Sequence, residues 1–350
     1  MKRRASHWQE RAAELAVIFP RARLHPAVLA WAEQSSRRAV WSVGFSGGAD
    51  SLGLLLLLWA HWPERRARLR ALHFNHRLRG RHSRADEEFC RDVCAALEVE
   101  CVVGAWMEAQ PGASEAEAWA ARMAFFDGAG RALWLGHQQD DIAETMLMRL
   151  ARGSGTAGLA APRPVHAMTR GRVHLRPLLT LKKGEIVAAL RAGKTPWRED
   201  ASNARGYFFR NRVRRDVLPA WAAAAKRDAL GGAAHARELL EEDDVALESW
   251  LAGLRTVRAD GALGLSKLVG KPRALVRRAL HRWLLIQPKA GDLSRQGFES
   301  LLAAVARGND TRHSLGREGF AVIRGKILKF ERLGTKRRNF RRGAGGPDRS

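Results

Sequence analysis

A short run of small and polar residues gives the first indication of chemistry. Residues 45–51 read Phe-Ser-Gly-Gly-Ala-Asp-Ser, between an apolar run ending at Val43 and a leucine-rich run beginning at Leu52. A buried strand, a turn and a buried helix in this order make a pocket for a phosphate. Gly47 and Gly48 let the backbone approach an anion, and the helix directs free N–H groups towards it. Because the run lacks the Lys-Ser/Thr ending of a Walker loop, it predicts a phosphate loop of another kind.

The side chains of this run add hydroxyl donors and a carboxylate. Ser46 and Ser51 are the donors, on either side of the glycines and Ala49. Asp50 is placed to hold a divalent metal or to orient the loop. The alternative is an ordinary glycine turn in which Asp50 only caps the helix. The position of the whole pattern between a strand and a helix favours the phosphate interpretation.

A second polar run, residues 136–145, reads Gly-His-Gln-Gln-Asp-Asp-Ile-Ala-Glu-Thr. If a helix begins near Asp140, then Asp140 and Glu144 lie one turn apart on one face, where they can share a magnesium ion with a triphosphate. His137 is placed to orient a substrate or to stabilise charge on a phosphate. The alternative is a capping aspartate followed by acids that favour the helix dipole. The phosphate loop, expected on the same sheet edge, favours the catalytic interpretation.

The residues between these runs predict the fold that positions them. Strand-like and helical stretches alternate from residue 39 onward. They are strand 39–45, helix 50–61, strand 69–74, helix 83–97, strand 99–103, helix 114–128, strand 132–135 and helix 140–151. This alternation predicts an α/β fold, with right-handed crossovers and a parallel sheet between two helix layers. Ligands of such sheets bind beyond the carboxyl ends of the strands, where both polar runs fall.

Three further segments carry residues suited to ligand or RNA contacts. His73 and His76 follow the second predicted strand without a third ligand at a zinc-like spacing, so hydrogen-bonding and loop-shaping roles are favoured over metal ligation. A glycine-rich loop able to press its backbone against a ligand, or to act as a plain tether, is formed by Arg152, Gly153, Ser154 and Gly155. A basic cluster next to Phe208 and Phe209 comprises Arg210, Asn211, Arg212, Arg214 and Arg215. Aromatic rings beside arginines suit phosphate contacts and base stacking, although a solvated helix face is the usual reading of such runs.

Bulk composition indicates the class of partner. The 350 residues carry a formal net charge of +25, which attracts polyanions and favours nucleic acid over a merely basic surface. The three cysteines, Cys90, Cys94 and Cys101, make neither an even framework nor a metal-type pair, so packing roles in a reducing cytoplasm are expected. The most apolar run, residues 54–60, is far short of the ~20 residues that cross a bilayer. We therefore expect a soluble, cytoplasmic protein without a membrane partner.

Side by side, these motifs resemble those of the bacterial tRNA(Ile)-lysidine synthetases, in the N-type ATP pyrophosphatase (PP-loop) superfamily. The resemblance is strong over residues 37–220 and weak beyond them. It is carried by residues 46–51, 73–79, 115–116 with 121–122, 136–145, 152–159, 176–178, 199–203 and 210–211. Together with the helical patterning outside residues 37–220 and the Arg-, Gly- and Pro-rich composition of the tail, it predicts four segments: an N-terminal helical extension 1–36, a PP-loop domain 37–220, a helical tRNA-binding domain with a small β unit 221–333, and a disordered basic tail 334–350.

The resemblance also implies a reaction. ATP adenylates the C2 carbonyl oxygen of the wobble cytidine in a tRNA(Ile) with a CAU anticodon, and the side-chain amine of L-lysine then displaces AMP. The resulting lysidine changes decoding from AUG to AUA. ATP and Mg2+ are thus the implied co-substrate and ion, and tRNA(Ile) and L-lysine the implied partners. The oligomeric state is left open, with a homodimer among the options.

Residue by residue, the resemblance implies a division of roles. Nucleotide binding falls to Ser46, Gly47, Gly48, Ala49, Asp50 and Ser51. Catalysis falls to Asp50, Arg122, His137, Asp141 and Glu144, with Asp50 also the candidate Mg2+ ligand. Lysine and tRNA contacts fall to His76, Asp140, Arg152, Gly153, Ser154, Gly155, Arg210, Asn211, Arg212 and Arg214. The chain departs from the pattern at Trp119, where relatives commonly have arginine.

Other PP-loop enzymes are the main alternatives. A tRNA thiolase of this superfamily also adenylates a pyrimidine oxygen, but such enzymes typically need a catalytic cysteine or a Cys-x-x-Cys site. The cysteines of this chain lie away from the predicted strand ends. A small-molecule amide-forming ligase would not require the net charge or the cluster at 210–215. A catalytically inactive RNA-binding module would not require the intact acids of the two polar runs.

Overall fold

The computed structural model describes residues 2–77, 81–107, 114–128, 130–199, 209–287, 293–316 and 319–333. Two compact units divide the chain between Glu242 and Asp243. Several predicted features lie outside the described residues: positions 78–79, most of the polar loop 197–203, Phe208 and the tail from residue 334. The domain boundaries near residues 36, 220 and 333 stay predictions.

The first unit is built on a six-stranded, mostly parallel sheet. Its strands are β1 (Trp41–Gly44), β2 (Leu69–Asn75), β3 (Glu100–Ala105), β4 (Ala132–Trp134), β5 (Val165–Ala167) and β6 (Val173–Leu175). They lie in the order β3-β2-β1-β4-β6-β5, and only β5 runs antiparallel to its neighbour. The predicted α/β class with a parallel sheet is confirmed. The sequence did not indicate β5, because a strand of three residues, none of them buried, is too short for its alternation to stand out.

Helices cover this sheet. They are α1 (Lys2–Ile18), α2 (Pro26–Gln34), α3 (Ala49–His61), α4 (Arg81–Leu97), α5 (Glu115–Asp127), α6 (Gln139–Leu150), α7 (Thr156–Leu159), α8 (Lys183–Ala192), α9 (Phe209–Arg212) and α10 (Leu218–Ala225). A π turn over Val213–Val217 joins α9 to α10, and α11 (Ala229–Leu254) crosses the boundary between the units. Every predicted strand and helix between residues 39 and 151 is present, with its ends shifted by a residue or two.

The core of the first unit surrounds α3. All residues from Leu52 to Leu58 are buried, which is typical of a helix covered on every side. Leu15 and Phe19 of the N-terminal segment, and Val28 of α2, belong to the same apolar cluster. The first two helices therefore contribute to the core that surrounds α3 and supports the phosphate loop.

The second unit combines helices with a small antiparallel sheet, as predicted. Beyond the end of α11 its helices are α12 (Arg273–Leu285) and α13 (Arg295–Arg307). Its strands are β7 (Leu263–Gly264), β8 (Thr311–Ser314), β9 (Gly319–Arg324) and β10 (Ile327–Arg332), in the order β7-β10-β9-β8. Trp283, Leu301 and Leu328 are fully buried in its core. Among all described helices, none is long and apolar enough to cross a bilayer.

Candidate functional site

Sheet topology brings the two polar runs together. β1 pairs in parallel with β2 on one side and with β4 on the other. The loops that follow β1 and β4 therefore leave the sheet side by side, at the same edge. This is the position where the chain connections diverge to either side of the sheet, and ligands of open α/β sheets bind in the crevice formed there.

The phosphate loop is held by its own serines. The Ser51 hydroxyl donates to the carbonyl of Gly48 at 3.0 Å and accepts from the amide of Ser46 at 3.2 Å. The two serine hydroxyls are 3.1 Å apart. Ser51 is buried, whereas Ser46 is exposed. Both hydroxyls thus shape the turn, since that of Ser46 also accepts from the Gly48 amide at 3.4 Å, and only Ser46 is exposed to an incoming phosphate.

Gly47 is required by both conformation and space. Its φ is +84°, in the left-handed region that favours glycine. A Cβ there would lie 3.1 Å from Cγ of Arg198 and 3.3 Å from Sγ of Cys90. The Arg198 backbone amide donates to the Gly47 carbonyl at 2.9 Å, and the Arg198 side chain is anchored by Asp86 at 2.6 Å. The loop is therefore backed by α4 and by the segment at residue 198.

His73 fixes the start of the loop. Its Nδ1 is 3.0 Å from the carbonyl oxygen of Phe45, the residue that follows β1. The imidazole is buried, and burial lowers its pKa. A neutral ring that hydrogen-bonds the backbone is the loop-shaping contact predicted for this histidine. His76, by contrast, contacts the rings of Phe74 and Trp106 edge-on.

Gly136 allows the two polar runs to touch. A Cβ on Gly136 would lie 2.9 Å from the carbonyl oxygen of Asp50 and 3.1 Å from the amide nitrogen of Ser51. Backbone atoms cannot move aside as a flexible side chain can. The chain after β4 thus packs directly on the first turn of α3, so that His137 and the acids of α6 face the phosphate loop.

Asp50 has the most unusual carboxylate in the site. Its pKa is raised to about 6: burial is the main cause, Lys183 opposes the rise, and the neighbouring Asp141 adds to it. Its Oδ1 atom is buried and has no hydrogen-bond partner in the described part of the chain. Mg2+ binds through one or two carboxylates and keeps water or phosphate oxygens as its other ligands. This unpartnered oxygen fits that single-carboxylate mode.

The second polar run begins α6 with a capping box. The Gln138 backbone amide donates to Oδ2 of Asp141 at 2.9 Å, and Oε1 of Gln138 accepts from the amide of Asp140 at 2.6 Å. The predicted helix start near Asp140 is confirmed, and one of its acids also caps the helix. Asp140 itself accepts from the backbone amide of Lys183 at 2.9 Å.

Two arginines neutralise the other two acids of α6. Glu144 is only 1% exposed and accepts from Nε of Arg210 at 2.8 Å and from Nε of Arg214 at 2.5 Å. Arg210 also pairs with Asp141 at 2.5 Å. Arg210 lies in α9 and Arg214 in the π turn that follows it, and both side chains reach α6. Asp141 and Glu144 are thus already paired, and no group of three or more His, Cys, Asp or Glu side chains among the described residues could hold a metal.

His137 lies among basic groups. Burial, with the guanidinium groups of Arg176 and Arg210, holds the pKa of His137 well below its usual value. Arg122 acts in the same direction. Nδ1 of His137 is buried, with no hydrogen-bond partner in the residues that the structure describes. The ring is therefore neutral at physiological pH, and the positive charge beside it is carried by arginines.

A cavity of about 220 Å³ opens beside α6. Asp140, Glu144, Lys183 and Arg214 form its polar side. Its apolar side is formed by Leu218, Pro219, Ala222 and Leu230. It suits a small ligand with both an apolar stem and charged ends.

Comparison with known proteins assigns the domain. The family model described as a PP-loop domain matches residues 23–221, which is more than half of the chain. This chain belongs to the PP-loop domain family. The match includes both polar runs and ends near the C-terminal end of the helical segment that supplies Arg210 and Arg214.

Two curated relatives of this PP-loop chain carry the same name. The tRNA(Ile)-lysidine synthase of Solibacter usitatus is 40% identical over 278 residues, which cover 73% of this chain and 58% of that relative. The tRNA(Ile)-lysidine synthase of Pseudomonas syringae pv. tomato is 38% identical over 302 residues, covering 80% and 64%. The chain therefore spans about three fifths of these relatives' length. Among solved structures, the U34-tRNA thiolase NcsA from Methanococcus maripaludis matches with a TM-score of 0.49 at 15% identity, over 67% of this chain and 80% of that one.

Most predicted site residues of the PP-loop domain converge, but the glycine-rich loop does not. Residues 152–155 follow the last turn of α6, roughly 18 Å along the helix from Asp140 at 1.5 Å per residue. Arg152 is exposed there, and a Cβ on Gly155 would meet nothing within 4 Å. The role predicted for this loop, like the roles predicted for Asn211 and Arg212, stays a prediction.

Four residues near the site had no predicted role. Arg176 follows β6 at the same sheet edge and is 8% exposed, and burial lowers its pKa to about 10. The position of Arg176 directly after a strand could have identified it from the sequence. Gly136 could have been identified in the same way, because it opens the second polar run. Lys183 and Arg198 carried no such signal, because they reach the site through contacts distant in sequence.

The cysteines are packing residues, as predicted, but one lies closer to the site than expected. Cys90 and Cys94 are buried and free of disulfides. Sγ of Cys90 is 3.9 Å from the carbonyl oxygen of Phe45, beneath the phosphate loop. The sequence had placed it away from the strand ends. Burial raises the pKa of the Cys90 thiol, so the thiolate needed for sulfur chemistry is disfavoured.

Proposed function

We propose that this chain catalyses ATP-dependent formation of lysidine at the wobble cytidine of tRNA(Ile) with a CAU anticodon, in the cytoplasm. The observation that carries the proposal is the meeting of the two polar runs at adjacent strands β1 and β4. It is supported by the family match and by the name that the curated relatives share.

In the first proposed step, the C2 oxygen of cytosine attacks the α-phosphorus of ATP, and pyrophosphate leaves. The amides and serine hydroxyls of the phosphate loop hold the phosphates. Asp50 offers one oxygen to Mg2+, which would neutralise phosphate charge when bound. Arg122 and Arg176, whose charges reach neutral His137, are placed to stabilise negative charge on the α-phosphate.

In the second proposed step, the side-chain amine of L-lysine attacks C2, the C2–O bond breaks, and AMP leaves with the oxygen. The cavity beside α6 would hold the lysine, with its four-carbon stem against Leu218 and Ala222. Asp140 is the acid best placed for the ammonium, because the described residues offer its side chain no ion pair, unlike Asp141 and Glu144. The nearby cations Lys183 and Arg214 would lower the pKa of that ammonium and help release the proton that the attack requires.

The test is incubation with ATP, radiolabelled L-lysine and a tRNA(Ile) transcript carrying CAU, followed by nucleoside analysis. We expect one labelled nucleoside and one AMP per modified tRNA. A transcript with uridine at the wobble position is the substrate control. Gly232→Ala is the protein control, because a Cβ at Gly232 meets nothing within 4 Å. ATP consumption without labelled nucleoside would overturn the proposal, and sulfur incorporation from a sulfide donor would favour the thiolase instead.

A further inference from the structure

We propose that the exposed indole of Trp119 is a stacking platform for the unpaired wobble base of the RNA substrate. This inference rests on the proposed function and adds to it a residue that selects the substrate.

The direction of α5 places its first turns at the ligand edge of the sheet. α5 connects β3 to β4, which run parallel within the same sheet. A crossover helix between parallel strands runs antiparallel to them, so its N-terminal end lies at the carboxyl ends of the strands. Trp119 is in the second turn of α5, so it lies at the edge that carries the phosphate loop and His137.

Trp119 lies on the face of α5 that packs against the sheet. Met123 and Phe126 lie four and seven residues further on, and both belong to the apolar cluster between α5 and the strands. Phe126 is 7% exposed, whereas Trp119 is 56% exposed. A tryptophan on the packing face that is nevertheless more than half exposed projects beyond the edge of the core. An exposed indole at the ligand edge of the sheet offers a flat face on which another ring can stack.

The surroundings favour a nucleobase as that group. Arg122, one turn further along the same face, is close enough to His137 to affect its pKa. His76 and Trp106 follow β2 and β3 at the same edge, with their rings 6.5 Å apart. Single-stranded nucleic acid is held by aromatic faces that stack on bases and by cations that contact phosphates. With a net charge of +25, the chain is better matched to an RNA base than to an apolar protein segment.

The test measures binding of an RNA hairpin with a CAU loop, and of the same hairpin with an abasic wobble position. For the hairpin with its base, Trp119→Ala should weaken binding roughly 5- to 150-fold, the range for losing one base–aromatic stack. Trp119→Phe should retain most of the affinity. For the abasic hairpin, wild type and Trp119→Ala should bind equally. Trp250→Ala, at a tryptophan 47% exposed in the second unit, is the matched control.

The outcomes separate this inference from the proposed function. Equal affinity of wild type and Trp119→Ala for the intact hairpin would overturn the stacking role, even if lysidine is formed. A loss of the same size with both hairpins would overturn the wobble base as the stacking partner. A loss confined to the intact hairpin would support stacking even if the chain forms no lysidine. Circular dichroism of Trp119→Ala should match wild type, because the side chain is mostly exposed.

Discussion

Single residues at this site are placed for function at a cost in stability. Asp50 is a buried carboxylate whose pKa is raised to about 6, so its ionised form is disfavoured in the folded chain. Its Oδ1 atom has no partner among the described residues. A side chain selected only for folding would be neutral or paired here. The arrangement is what a carboxylate awaiting a cation requires.

Asp50→Asn should therefore raise stability while abolishing ATP-dependent activity. The raised pKa means that the folded chain binds a proton that the unfolded chain releases, so stability falls as pH rises from about 4 to about 6 and stays low above that. The raised pKa of Asp50 lowers the free energy of unfolding above pH 6 by ~2–3 kcal/mol. The variant should recover this free energy at pH 7.5 but not near pH 4. Urea unfolding at both pH values measures the difference. A variant less stable than wild type at pH 7.5 would contradict the assigned cause.

Gly136→Ala should impair both folding and activity. Its Cβ would lie 2.9 Å from the carbonyl oxygen of Asp50, so α3 must move away from β4. Overpacking of this kind costs about 1–3 kcal/mol. A shift of the phosphate loop should lower kcat roughly 10- to 100-fold. Gly232→Ala is the control and should lower neither stability nor kcat, because a Cβ at this position meets nothing within 4 Å. A Gly136→Ala variant as active and as stable as wild type would show that the two polar runs are not packed as described.

At the scale of elements, the segment from Phe209 to Ala225 is attached to α6 by charge. Arg210 and Arg214 lie four residues apart, across the start of the π turn, and both reach Glu144. The sequence had assigned these arginines to tRNA and the acids to metal or substrate. In the folded chain the two sets neutralise each other, so this contact positions the wall of the cavity that contains Leu218 and Ala222.

Glu144→Gln should destabilise the first unit by about 2–4 kcal/mol, because it removes the buried carboxylate that two guanidinium groups share and leaves them only Asp141. Both arginines are about one-third exposed, which limits the loss. Glu100→Gln, which removes the exposed pair with Arg70, is the matched control and should cost under ~1 kcal/mol. Urea unfolding compares the two. Equal losses would mean that the α6 pairs behave as surface pairs.

At the scale of the whole molecule, the net charge of +25 must be divided between internal and outward-facing cations. Arg214 pairs with Glu144 and is about one-third exposed, whereas Arg212 and Arg215 are exposed. Arg212 lies over the ring of Phe209 at 5.8 Å, and Arg215 pairs with its neighbour Asp216. Only the exposed members of the basic cluster are therefore placed to contact a polyanion.

Replacing Arg212 and Arg215 together by Gln should weaken binding to tRNA(Ile) with CAU and reduce its salt dependence. Each lost phosphate contact should lower the slope of log K against log salt by about one. Folding should be unaffected, in contrast to Arg214→Gln, which breaks a pair with a buried acid. Affinity measured over a series of KCl concentrations gives the slope. An unchanged slope would place this surface away from the RNA.

The sequence by itself determined the α/β alternation, the phosphate loop and the start of α6. It also determined which side chains are able to bind ligands or take part in catalysis. These follow from local spacing, because strand and helix periods and turn residues act over a few positions. Only the tertiary structure decided that Glu144 is paired with Arg210 and Arg214, 66 and 70 residues away. It also decided that Gly136 touches Asp50, that the Asp50 carboxylate is buried, and that Trp119 projects from a packing face. Burial and long-range pairing depend on which elements become neighbours, and sheet order, not local spacing, fixes that.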